Sequence, residues 1–382
     1  MPGYGLRDGK NETTMAQGGL CAVRKQERLQ GMKPIVPAVS TAVWKELYNA
    51  AQKFSLLKPW DVLDDSDMIC VRDPMTGDTG FGIVMGSGGE VFGFCLYRGA
   101  EGFDIYRRTI QGELDRESDD LFEMQNSLNF ELGARTQMMP EDFAVMKRLN
   151  LSFRGKNAWP EFRSMSAGYA PWFLTEPEAR FLTIGINAAC RHYERVVEGE
   201  SDESLRESEC LMYTPLEVSG AEFRSEWEPL PVYERKPLKP PVLNLGVVSS
   251  IKSKKLKPDT EWEVDSFYLP MPVMDRDRPY FARTAVACQQ SSGFVFDMMT
   301  APPETMQHQL LADTICSSIE KSGFKPDAIF VSNEEFASAL APLANVLSIS
   351  ILSRKNLGSI KMLKESMMGY MMGEGKGGRG RK

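Results

Sequence analysis

Between residues 59 and 108 apolar and polar positions alternate more densely than anywhere else in the chain. Three short apolar runs stand out: 68–71 (MICV), 81–85 (FGIVM) and 91–97 (VFGFCLY). Asp73, Pro74 and Gly77 separate the first two, and they supply the fixed and the positive φ values that a tight turn needs. Gly86, Ser87, Gly88 and Gly89 separate the second from the third. Runs of this kind joined by Gly-rich loops predict a meander of three antiparallel strands. A Gly-rich loop that cradles phosphate opens a helix. Here a strand follows, so the loop reads as a hairpin turn. Asp61, Asp64, Asp65 and Asp67 cluster just before the meander. They could hold a cation or form a solvated turn, and their spacing lacks the Gly and the distant Glu of a calcium loop.

On either side of the meander the period lengthens. Thr41 reads as an N-cap, and Val43, Leu47, Ala50, Ala51 and Phe54 repeat at helical spacing over 42–55. Phe103 and Ile105 predict a fourth strand. The acidic run 113–123 predicts the solvated face of a helix start, and 126–138 another strand. Pro140 opens a helix to Leu149, with acids in its first turn. Segments 159–162 and 169–173 predict loops whose aromatics cover the core. Thr175 caps a helix over 176–197, with Leu182, Ile186, Ala189, Tyr193 and Val196 on one stripe. His192 falls off that stripe and is expected in solvent.

Residues 212–246 hold eight prolines or glycines. That composition predicts an extended interdomain segment. Its basic end carries Lys252, Lys254, Lys255 and Lys257, a pattern that suits either a nucleic-acid contact or a solvated linker. Strands are predicted over 262–269, 284–289, 294–299, 327–332 and 348–352, and helices over 302–321, 334–347 and 357–372. Gly323 and Pro326 end the first of these helices. The chain therefore divides into a flexible leader (1–38), an α+β domain with an antiparallel meander (39–210), a Pro-rich and basic linker (211–259), an α/β domain (260–372) and a basic Gly-rich tail (373–382).

The second domain reads β-β-α-β-α-β-α. That order, with a Gly-containing turn between core strands, resembles the ribonuclease-H-like fold of integrases and transposases over 262–355. The resemblance implies carboxylates at the end of the first core strand and after a later one, holding two metal ions. The first position carries Gln289 and Gln290. Asp297 lies on the following strand, and Asn333, Glu334 and Glu335 stand at the later position. A degenerate metal-dependent nuclease would use Asp297, Glu334 or Glu335. From Trp44 to Met372 the chain also resembles uncharacterised bacterial two-domain proteins built from domains of unknown function. That resemblance rests on Trp44 to Tyr48, on Pro59 and Trp60, and on Pro326 to Val331; it implies an architecture and no residue roles.

Composition narrows the chemistry. The 382 residues carry a formal net charge of −7, so binding of a polyanion would depend on a local basic patch. The seven cysteines form no C-x-x-C, which fits reduced thiols in a cytoplasmic protein. No apolar run is long enough to span a membrane. With two histidines, His192 and His308, a His-rich metal site is excluded, and no cofactor or metal is expected. The tail adds Lys376, Arg379, Arg381 and Lys382, as Arg/Gly segments that touch single strands do. The expectation is a non-catalytic binding or scaffold protein whose partner is a protein or nucleic acid; a degenerate nuclease is the alternative.

Overall fold

The computed structural model describes residues 35–64, 66–114, 124–217, 220, 222–274 and 277–371. The leader up to residue 34, most of the acidic run 113–123 and the tail from 372 lie outside the described residues. The chain forms two compact units: residues 1–166 with 171–233, and 167–170 with 234–382.

In the first unit α1 (Thr41–Leu57) begins where the Ser40 side chain accepts from the N–H of Val43. The expected meander follows as β1 (Ile69–Arg72), β2 (Thr79–Met85) and β3 (Gly93–Arg98), each antiparallel to the next. After it the chain forms α2 (Gly99–Ile110), where a fourth strand was expected. The buried set there, Phe103, Tyr106 and Thr109, has a spacing of three, so Phe103 and Ile105 belong to a helical face. β4 (Asn126–Gly133) and α3 (Pro140–Arg148) follow the sequence pattern. Residues 159–162 open a strand, β5 (Trp159–Ser166), where a loop was predicted. β5 is the last strand of its sheet, which is where a proline such as Pro160 can be accommodated without breaking a ladder on both sides.

Helix α4 (Glu176–Val197) is closed at its start by Glu178, whose carboxylate accepts from the Thr175 N–H at 2.9 Å. β6 (Glu209–Pro215) and β7 (Phe223–Pro229) then complete a seven-stranded sheet in the order β5-β4-β3-β2-β1-β6-β7. β6 runs parallel to β1, and all other neighbours are antiparallel. The linker expected from residue 211 thus starts inside a sheet. α1 and α4 cover one face, burying Leu47, Phe54, Leu182 and Ile186 against Phe94, Leu96 and Phe130. α2 covers the other, against Phe81, Ile83 and Tyr97. A Cβ at Gly82 would lie 2.1 Å from the Phe94 ring, so that glycine makes the space in which Phe94 is buried.

In the second unit the basic segment is again structured. α5 (Leu245–Ser253) is capped by Asn244, and β8 (Lys257–Asp259) follows it. The Pro-rich chain before α5 is also held: Val242 exchanges two hydrogen bonds with the Gln309 side chain, at 2.7 and 3.1 Å. Three strands, β9 (Trp262–Val273), β10 (Tyr280–Gln289) and β11 (Val295–Ala301), precede the next helix, at the three segments predicted as strands there, so the order opens with three strands where β-β-α counts two. Then come α6 (Gln307–Ser322), β12 (Phe324–Pro326), β13 (Ala328–Val331), α7 (Glu334–Leu347), β14 (Ser350–Ser353) and α8 (Gly358–Met371).

The main sheet has the order β11-β10-β9-β13-β14; β9 to β11 are antiparallel, and β13 lies parallel to both β9 and β14. β8 and β12 form a separate parallel pair. α5, α6 and α7 cover one face of the sheet around Trp262, Val264, Ala285 and Ile329. α8 covers the other, with Ile360, Leu363, Met367 and Met368 against Phe267, Val286 and Phe330, so part of its Met-rich stripe packs on its own domain. No described helix is long and apolar enough to cross a membrane.

Candidate nucleic-acid interface

To the lysines of 252–257 in the second unit the last turn of α6 adds Lys321, and the β8–β12 pair adds Lys325. In its register Lys257 stands opposite Phe324, and Lys325 opposite Pro258. The Lys257 N–H donates to the Gly323 carbonyl at 2.9 Å, which fixes this segment to the C-terminal end of α6. Carbonyls at a helix C-terminus favour cations. Lys254 uses this directly, donating to the Glu320 carbonyl oxygen at 3.1 Å while its ammonium lies 3.6 Å from the Glu320 carboxylate. Lys321 is paired with Asp297 at 2.8 Å. Burial acts to raise the Asp297 pKa, but hydrogen bonds from Lys321 and Ser317 outweigh it and hold the carboxyl below its ordinary range. Lys252, Lys255, Lys257 and Lys325 have no carboxylate partner among the described residues. Lys252, Lys255 and Lys257 are exposed, as is Asp327, an acid at the rim.

Beside the lysines lies a row of aromatic rings. Trp262 and Phe296 stack with centroids 4.0 Å apart and planes at 25°. Phe294 meets Phe296 edge-on at 5.3 Å, and Phe324 is 6.3 Å from Phe296. The row is braced from below by Asp259, which accepts from the Trp262 indole at 2.8 Å and from the Gln289 amide at 2.6 Å. The register between β10 and β11 shifts between Ala287 and Cys288, so Phe296 has no residue opposite it. Such bulges re-aim side chains at sheet edges. Trp262 is fully buried, whereas Phe294 is 63% exposed.

The carboxylates of the nuclease alternative are not brought together. Asp297 is on β11, whereas Glu334 and Glu335 open α7 just after β13. Three strand spacings separate β11 from β13, about 14 Å. Each acid also has its own partner: Asp297 has Lys321, Glu334 accepts from Ser353 at 2.5 Å, and Glu335 pairs with Arg235 at 3.4 Å. Sequence reading also missed the two acids of the central strand. Glu263 and Asp265 lie on β9, where Glu263 accepts from backbone N–H groups at the start of α8 and Asp265 from Ser332 at 2.9 Å. Among the described residues no group of three or more His, Cys, Asp or Glu side chains could hold a metal ion.

The other flagged residues have local roles. Asp64 accepts from the Ser66 N–H and hydroxyl at 2.8 and 2.6 Å, closing a turn. Asp61 and Asp64 line a cleft of about 550 Å³ with Trp60, Phe92 and the Gly86–Gly89 turn. Asp65 lies outside the described residues, as do Lys376, Arg379, Arg381 and Lys382. His192, expected in solvent, is fully buried: Tyr213 of β6 covers it, with its hydroxyl 2.9 Å from Nδ1. His308 is buried as well, and burial lowers its pKa. Cys70, Cys95, Cys190, Cys210, Cys288 and Cys316 are free thiols and all buried.

Residues 44–213 match a family model described as a domain of unknown function (DUF7309), and residues 248–368 match a second so described (DUF6930). The chain carries these two domains in tandem, one in each unit. No curated protein and no solved structure matches it, so the likeness to the ribonuclease-H-like fold has no support from a solved relative.

Proposed function

We propose that this chain is a non-catalytic module that binds a nucleic acid through its phosphate backbone, with the lysine end of the second unit as the contact. The observation that carries the reading is the β8–β12 pairing, which joins Lys252, Lys254, Lys255 and Lys257 to Lys321 and Lys325 across some 70 residues of sequence. Four of these six lysines lack a carboxylate partner among the described residues, on a chain whose net charge is −7. Like charges gathered without counter-charges repel one another; the phosphates of a polyanion relieve that repulsion, and the counterions they release add to the driving force. The dispersal of Asp297, Glu334 and Glu335 supports the non-catalytic part.

The test is binding of the intact chain to labelled DNA and RNA over a salt series, with Mg²⁺ and Mn²⁺ arms read for cleavage. Affinity should fall steeply with salt, and Lys255→Glu with Lys257→Glu should weaken every nucleic acid alike. Binding that ignores these charge reversals would overturn the reading. So would cleavage lost in Asp297→Asn.

A further inference from the structure

We infer that the lysine end is a single-strand site, in which a base stacks on Phe294 while the lysines follow the phosphates. This rests on the nucleic-acid reading above and narrows it. A phosphate contact alone needs no aromatic group, yet here the lysines border a row of rings. Lys257 stands opposite Phe324, Lys325 follows it in the chain, and Lys321 is held by Asp297, the neighbour of Phe296.

The row is graded from core to surface. Trp262 is fully buried and tied to Asp259, Phe296 stacks on it, and Phe294 is 63% exposed at the outer end. Packing explains the inner two rings. The outer ring meets Phe296 only edge-on and keeps most of its surface in water, where a ligand can reach it. A base offers a flat apolar face, and stacking on it suits any sequence. The bulge at Phe296 and the turn through Ser292 and Gly293 present Phe294 beyond the strand, at a free edge of the sheet. Ser292 fixes that turn by donating to Gln289 at 2.6 Å and accepting from the Phe294 N–H at 3.2 Å. A duplex keeps its base faces stacked inside and cannot offer one to Phe294, whereas a single strand offers phosphates and faces together.

The experiment is fluorescence anisotropy of the full chain with labelled oligo(dT) of about 12 nucleotides, inside the span of one such module. A duplex of equal length and heparin serve as further arms, each read over a salt series. The single strand should bind at least tenfold tighter than the duplex. Phe294→Ala should weaken the single strand by about tenfold, the loss of one stacked base, with the salt slope unchanged. It should leave duplex and heparin binding as they were. Lys255→Glu with Lys257→Glu should instead weaken all three and reduce the single-strand slope by about 0.7 per lost phosphate contact. Thermal melts of each variant, with Phe294→Leu as a further control, separate lost contacts from lost folding. Equal single-strand and duplex affinities with Phe294→Ala silent would overturn this inference and leave the phosphate-binding reading standing. Absence of salt-dependent binding in all three arms would overturn both.

Discussion

The carboxylate of Glu263, in the middle of the second unit's sheet, accepts the backbone N–H of Ser359 at 2.8 Å, joining the central strand to the start of α8. The same oxygen accepts from the Ile360 N–H at 3.3 Å. Glu263 is buried, so its charge is offset by the unpaired amides at the helix N-terminus. Hydrogen bonds to a charged group contribute more than neutral ones, and leaving the amides without an acceptor adds a penalty. Glu263→Ala should therefore cost about 2–3 kcal/mol in urea unfolding. Glu263→Gln, which keeps one acceptor oxygen, should cost less. A change in Glu263→Ala of only a few tenths would show that α8 is held by Leu357 and Ile360 packing alone.

How much of this could be read from sequence depends on how local each signal is. α7 was predicted over 334–347 and occupies Glu334–Leu347, because its cap at Asn333 and its apolar stripe lie within the same short segment. The β1–β3 meander was legible for the same reason. β7 was not: as an edge strand it reads FRSEWEP, exposed on both faces over much of its length, so no alternation marks it. His192 was misplaced because a single stripe describes a helix with one buried face, and Tyr213 arrives from a strand 21 residues on. The lysine end was half legible. The cluster at 252–257 is plain in sequence, but its meeting with Lys321, Lys325 and the phenylalanines depends on strand pairing between distant segments.

The buried histidine makes stability depend on pH. Burial first, and the nearby Arg195 guanidinium second, push His192 down to about 4, against the weaker pull of Asp202. Arg195 also donates to the Tyr213 oxygen at 2.9 Å, which leaves the Tyr213 hydrogen for Nδ1. By this bonding pattern the neutral ring carries its own hydrogen on Nε2, where no acceptor is found among the described residues. The unfolded chain takes up a proton near pH 6.5, and the folded chain only near 4. Stability from this group is thus complete above 6.5 and is lost as pH falls toward 4, by at most roughly 3 kcal/mol. Unfolding midpoints measured between pH 7.5 and about 4 should fall more steeply in the wild type than in His192→Gln. Parallel profiles would contradict the assignment.

In the first unit a buried arginine serves two acids. Arg163 on β5 bonds both oxygens of Asp142, at 2.9 and 2.6 Å, and lies 2.8 Å from Glu161; all three side chains are buried. Its guanidinium also sits 4.9 Å over the Phe173 ring. The arrangement is asymmetric. Removing the charge of Asp142 by Asp142→Asn leaves Arg163 still paired with Glu161. The side-chain amide oxygen of that variant could still accept from the Met139 N–H, which Asp142 now holds at 2.9 Å. Removing Arg163 takes from both buried carboxylates the cation they share. Breaking a buried pair costs about 3–5 kcal/mol, chiefly through the charge left behind. Arg163→Met should reach that range in chemical denaturation, and Asp142→Asn should stay well below it. Arg163→Lys should fall between them, because an ammonium keeps the charge but cannot bond both Asp142 oxygens in the same fork. If Asp142→Asn cost as much as Arg163→Met, the cap on Met139 would be the dominant role of Asp142, and the ion pairs secondary.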